Sequence, residues 1–184
     1  LKNDYYEYHL AYAEELANHP SIDGARMAVY GQSYGGNPVA KLAVDHDDVF
    51  SAAVVACAPI DLPFIAFSPS ELPFAVAPMT LDILEARFRT GSCDLDEGLA
   101  QCEAIIDELD EFALASTLMS GAIDIPLLVP APEDDPFMPQ PDIDLLASAA
   151  GENFDRLVTG QDIHCTRERG TYWPQIADWI AESI

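Results

Sequence analysis

Lysine is almost missing from this chain. Only Lys2 and Lys41 occur among 184 residues, and all Lys and Arg number 8 against 32 Asp and Glu, a formal net charge of −24. That deficit excludes the basic patch on which binding to nucleic acid or an anionic membrane surface depends, because phosphate-rich partners would be repelled. Long apolar runs are also missing. None approaches the roughly 18 residues that span a bilayer, and Leu1-Lys2-Asn3-Asp4 shows neither a basic nor an apolar leader region. The reading is a soluble, cytoplasmic chain. Cysteine is sparse: Cys57, Cys93, Cys102 and Cys165 form no C-x-x-C pair, and Cys57 sits inside an apolar run. Reduced, mostly buried thiols are therefore expected in place of zinc ligands or disulfides, and neither a metal nor a cofactor is expected.

What is present is a globular composition, 49% hydrophobic and 22% charged, at a length that suits one domain. Asp (19) outnumbers Glu (13), a balance that resembles salt-adapted proteins. Ordinary acidic proteins also reach such values, so halophilic adaptation and plain solubility both stay open. The clusters at 45–48 and 107–111 read as solvated faces. The segment 94–98 is a poor match to a calcium loop, because its third carboxylate position and its glycine are out of register.

Along the chain, residues 4–18 place Tyr5, Tyr8, Tyr12 and Leu16 near helical spacing before Asn18-His19-Pro20. Residues 27–30 form a short apolar strand, the pattern at 38–44 is helical, and 52–58, 126–129 and 154–159 read as further strands. A closing helix is expected from 173 to 184. Short uninterrupted apolar strands separated by helices predict an α/β fold with a mostly parallel sheet and helices on both faces. Between the second and third strands, 61–124 form a long excursion that opens in a Pro/Phe-rich stretch and continues as helices at 81–89 and 95–119. The apolar stripe of the second helix reads as core packing, and the Pro/Phe-rich stretch as a lid over a pocket.

The chemistry gathers around Gly31-Gln32-Ser33-Tyr34-Gly35, a G-x-S-x-G placed where a strand passes directly into a helix. Its two glycines permit a tight turn that pushes the Ser33 hydroxyl out at the sheet's carboxyl edge, with a helix N-terminus adding positive potential behind it. A bland alternative has Ser33 merely capping that helix. Of the histidines, His9, His19 and His46 suit surface roles, whereas His164 follows the fourth strand and shares the carboxyl edge with Ser33. It is the candidate base. The loop after the third strand, Glu133-Asp134-Asp135-Pro136-Phe137-Met138-Pro139, should supply the orienting carboxylate. Asp135 is preferred over Asp134 because its D-x-x-x-P setting resembles the acid loop of many serine hydrolases. The resulting order is Ser, Asp, His, as in α/β-hydrolases.

Together with His164-Cys165 and the ending at 172–180, these segments resemble the α/β-hydrolase superfamily, and within it the FrsA-like branch. That branch includes polyketide-pigment chain-shortening hydrolases and the dihydropseudooxynicotine hydrolase. The resemblance implies a serine hydrolase acting on a small carbonyl substrate, an ester or a ketone-adjacent C–C bond, with the Tyr34 backbone N–H as one oxyanion donor. Such hydrolases carry several strands before the nucleophile strand, where one helix stands here, so 1–184 is expected to be a single domain that is incomplete at its N-terminus. The first strand would then present an apolar edge, to be covered by a homodimer partner or by an N-terminal segment. The competing reading is a non-catalytic α/β-hydrolase-like module acting by association.

Overall fold

Ala-Ala-Val-Val-Ala at 52–56 and Leu-Leu-Val-Pro-Ala at 127–131 carry no polar side chain on either face. Successive strand side chains point to opposite faces, so such segments are stable only where both faces are covered. A computed structural model describes residues 5–60, 118, 121–160, 164–165 and 169–184, and there these segments are strands buried at every position. The element order is α1 (Tyr5–Ala17), β1 (Ala28–Gln32), a 3-10 turn (Ser33–Gly35), α2 (Gly36–Asp45), β2 (Ala52–Ala56), β3 (Leu127–Ala131), α3 (Gln140–Ala150), β4 (Phe154–Val158) and α4 (Arg169–Ser183).

Among the described residues the sheet has the order β1-β2-β3-β4, with every pairing parallel. Ala28 pairs with Ala52 at one edge, and Leu127 with Phe154 at the other. Pro130 interrupts the N–H row of β3, yet its carbonyl still accepts from Cys57 N at 2.9 Å. Helices pack on the sheet, α2 against β1 and β2, α3 against β4 and α4 against β2, in keeping with the α/β class, and β2 and β3 are buried on both faces. Leu42, Val54, Ile123, Leu127, Leu146 and Ile176 are fully buried between the layers. Burying each such side chain stabilises by about 1.5–3 kcal/mol.

Strand β4 differs from the central pair: Asp155 and Val158 are exposed, as suits an edge. Trp179 Nε1 on α4 donates to Asp155 Oδ2 at 2.8 Å and fastens that edge to the last helix. At the opposite edge, β1 borders a cavity of about 430 Å³ whose lining includes Tyr12, Leu16, Val29 and Val39. Among the described residues, β1 pairs with β2 alone.

Two departures from expectation are structural. The helix α3 has no counterpart in the sequence reading; Pro141 in its first turn and Ile143, Leu146 and Ala150 at helical spacing are the signals that mark it. The last helix begins at Arg169, ahead of the expected 173. The helices expected at 81–89 and 95–119, and the lid at the start of 61–124, lie on residues almost wholly outside the described ones.

Candidate active site

Ser33 follows directly on the end of β1 with φ 54°, a left-handed value that a serine adopts only when its surroundings hold it there. The sequence permits this because Gly31 lacks a side chain. A Cβ on Gly31 would run into the Gly35 carbonyl and approach Val39 Cγ2 at 2.7 Å. On Gly36 it would collide with Ala58 Cβ. Gly35 has nothing within 4 Å of where its Cβ would stand. Of the two motif glycines only Gly31 is closely packed, and Gly36, just outside the motif, is packed as tightly.

The capping alternative for Ser33 does not hold. Gln32 occupies the N-cap of the 3-10 turn and Gly35 that of α2, neither with a side-chain cap bond. Ser33 Oγ instead lies 2.7 Å from His164 Nε2. His164 Nδ1 is 3.1 Å from both Asp135 oxygens. With the ring proton on Nδ1, the imidazole donates to the carboxylate and accepts from the serine hydroxyl. The three residues come from loops after β1, β3 and β4, and the parallel sheet delivers all three to its carboxyl edge.

Asp135 is 3% exposed, so its carboxylate needs partners. Phe137 N–H donates to its Oδ1 at 2.9 Å, and Met138 N–H to its carbonyl at 3.2 Å. The Phe137 ring lies 4.4 Å from the imidazole, walling the histidine on one side. Beneath this loop Arg156 of β4 donates to Pro132 O at 3.0 Å and Val129 O at 3.4 Å. Burial pushes the Arg156 guanidinium below its ordinary value, while the charge of Asp135 opposes that shift. Arg156 stays a cation and gives the buried carboxylate a favourable field. Sequence reading missed it, since an arginine in a strand carries no motif.

The expectation of reduced thiols is overturned for Cys57 and Cys165 at the same edge, while Cys93 and Cys102 lie outside the described residues. Cys57 and Cys165 form a disulfide across 108 residues, joining the end of β2 to the residue after His164. Both are fully buried and both hold left-handed backbone, φ 48° and 49°. Among the described residues no cluster of His, Cys, Asp and Glu could hold a metal, and no helix is long and apolar enough to cross a membrane.

A profile of the family described as Esterase FrsA-like matches residues 1–184. The chain belongs to that family. Esterase FrsA of Vibrio vulnificus (strain YJ016) is 29% identical over 147 residues, 80% of this chain and 34% of the relative. Esterase FrsA of Vibrio cholerae serotype O1 (strain M66-2) is 32% identical over 141 residues, 76% of this chain and 32% of the relative. The FrsA-like chain thus spans about a third of the curated relatives it matches. Its fold is that of solved α/β-hydrolases. The 2,6-dihydroxy-pseudo-oxynicotine hydrolase superposes with a TM-score of 0.74 at 19% identity, covering 98% of this chain and 46% of that one. Acetyl xylan esterase from Paenibacillus sp. R4 gives 0.71 at 14% identity, covering 97% and 52%.

Proposed function

We propose that this FrsA-like chain carries the catalytic centre of a serine hydrolase acting on a small carbonyl substrate, an ester in the first place and a ketone-adjacent C–C bond in the second. The observation that carries the proposal is the hydrogen-bonded chain Ser33–His164–Asp135 built on a left-handed elbow. His164 Nε2 takes the Ser33 proton as Oγ attacks the substrate carbonyl carbon, and Asp135 holds the imidazole and stabilises its charged form. The C=O electrons move onto oxygen and return as the bond to the leaving group breaks. That group departs with the proton from His164, leaving an acyl-Ser33 that water hydrolyses by the same relay. The Tyr34 backbone N–H, in the turn after Ser33, is the proposed donor to the developing oxyanion. The ester reading draws support from the names of the Vibrio relatives.

A fluorophosphonate probe, applied to the full chain in high salt, is expected to label Ser33 and to leave Ser33→Ala unlabelled. Absence of labelling in the wild type overturns the reading.

A further inference from the structure

The residue that follows His164 is held from several sides. Cys165 is fully buried, with left-handed backbone that must be held in place by its neighbours. Its side chain is tied to Cys57. Its carbonyl accepts two side-chain donors, Gln32 Nε2 at 2.8 Å and Tyr172 Oη at 3.2 Å.

The first of these donors stands out because Gln32 immediately precedes Ser33. Gln32 is linked to Ser33 by one peptide bond, Ser33 to His164 by the 2.7 Å contact, His164 to Cys165 by another peptide bond, and Cys165 back to Gln32 by the 2.8 Å bond. The four residues close a ring that spans 133 residues of sequence. The carboxamide has one productive orientation in it. Its N–H₂ faces a carbonyl, while its Oε1 accepts from Tyr30 Oη at 3.3 Å; flipping it would set oxygen against oxygen at Cys165. Tyr30 is in turn packed on the Trp173 ring of α4, centroids 4.7 Å apart.

We propose that Gln32 is a positioning residue for the hydrolytic reaction: by gripping the Cys165 carbonyl it fixes the histidine loop against the nucleophile elbow, so that His164 meets Ser33 already aligned. The inference rests on the serine-hydrolase reading above. Gln32 touches no reacting atom and acts through His164. Its loss should therefore slow proton transfer and leave substrate binding alone, since misplacement of a catalytic group by about 1 Å can cost 10²-fold.

The test uses the full chain with p-nitrophenyl acetate and a fluorophosphonate. Gln32→Met keeps length and apolar bulk but has no donor. Its kcat and its Ser33 labelling rate are expected to fall by about 10- to 100-fold, with KM within about twofold and the melting temperature within a few degrees. In a His164→Ala background the same substitution should bring no further loss in labelling, because its route runs through that ring. If Gln32→Met does not fold, Tyr172→Phe removes the second donor to the same carbonyl, with a smaller fall in kcat expected and the same criteria applied. A wild type labelled at Ser33 together with a Gln32→Met labelled at the same rate overturns the positioning role alone. A further loss in the His164→Ala background also overturns it. A wild type that is not labelled overturns the serine-hydrolase reading and this proposal with it.

Discussion

The three glycines of the elbow should respond to alanine in an order that the motif alone does not give. At Gly31 the new methyl would meet the Gly35 carbonyl and Val39. Backbone cannot swing aside as a side-chain tip can, so the cost belongs at or above the upper end of the roughly 1–3 kcal/mol for overpacking. Gly36→Ala meets Ala58 Cβ on the buried segment after β2 and has Val55 Cγ1 at 3.4 Å, so it should be nearly as harmful. Gly35 has helical backbone, φ −69° and ψ −18°, with open space where Cβ would stand. Alanine there loses less chain entropy on folding and should be neutral or stabilising by about 0.4–1 kcal/mol. Gly31→Ala and Gly35→Ala should thus differ by roughly 3 kcal/mol, a melting-temperature gap of about 10 °C for a domain of this size. Thermal denaturation followed by circular dichroism measures the gap, and fluorophosphonate labelling reports whether the elbow survives. Labelling is expected to persist in Gly35→Ala and to vanish in Gly31→Ala. A Gly35→Ala as unstable as Gly31→Ala would refute the steric argument.

Asp135→Asn leaves an oxygen for the Phe137 N–H but turns an N–H₂ toward His164 Nδ1, which favours the tautomer unable to take the Ser33 proton. In the Ser-His-Asp template this exchange lowers kcat by about 10⁴-fold; a loss under tenfold here would remove Asp135 from the relay. Peptide mapping under non-reducing conditions should recover the Cys57 and Cys165 peptides joined, and recovering them only as separate alkylated thiols would reject the pairing. The −24 charge implies self-repulsion that salt relieves, as the Debye length falls from about 10 Å at 0.1 M to about 3 Å at 1 M. The melting temperature should climb over that range, and a flat profile would leave the acidity as a solubility feature.

The parts of this fold legible in the sequence are those written locally. Apolar segments such as 52–56 and 127–131 have one stable environment, the middle of a covered parallel sheet, so strands and class follow from them. Ser33, His164 and Asp135 could be considered together from the sequence because each lies just past a strand, and a parallel sheet puts all such positions on one edge. Contacts that join distant segments through ordinary residues were not legible. Nothing near Cys57 or Cys165 announces the other, 108 residues away. Arg156 reads as a polar residue on a strand until the acid loop is seen above it. The helix α3 escaped because two prolines, Pro139 and Pro141, stand where a turn is the first expectation.

The same distinction explains why the elbow's neighbours matter as much as the elbow. A serine on a left-handed turn is only a strained hydroxyl until a base meets it, and the proposed base, His164, lies six residues beyond the end of β4. Strand β4 itself is half exposed and cannot fix that residue by burial alone. The fixing comes from elsewhere: Cys57 from the end of β2, Gln32 from β1 and Tyr172 from α4 all converge on Cys165. Three elements thus hold one residue, and its neighbour is the imidazole. Alignment of His164 with Ser33 is consequently a property of the assembled sheet and last helix, which is why a substitution at Gln32 should be read in the rate of the chemistry before it is read in the stability of the fold.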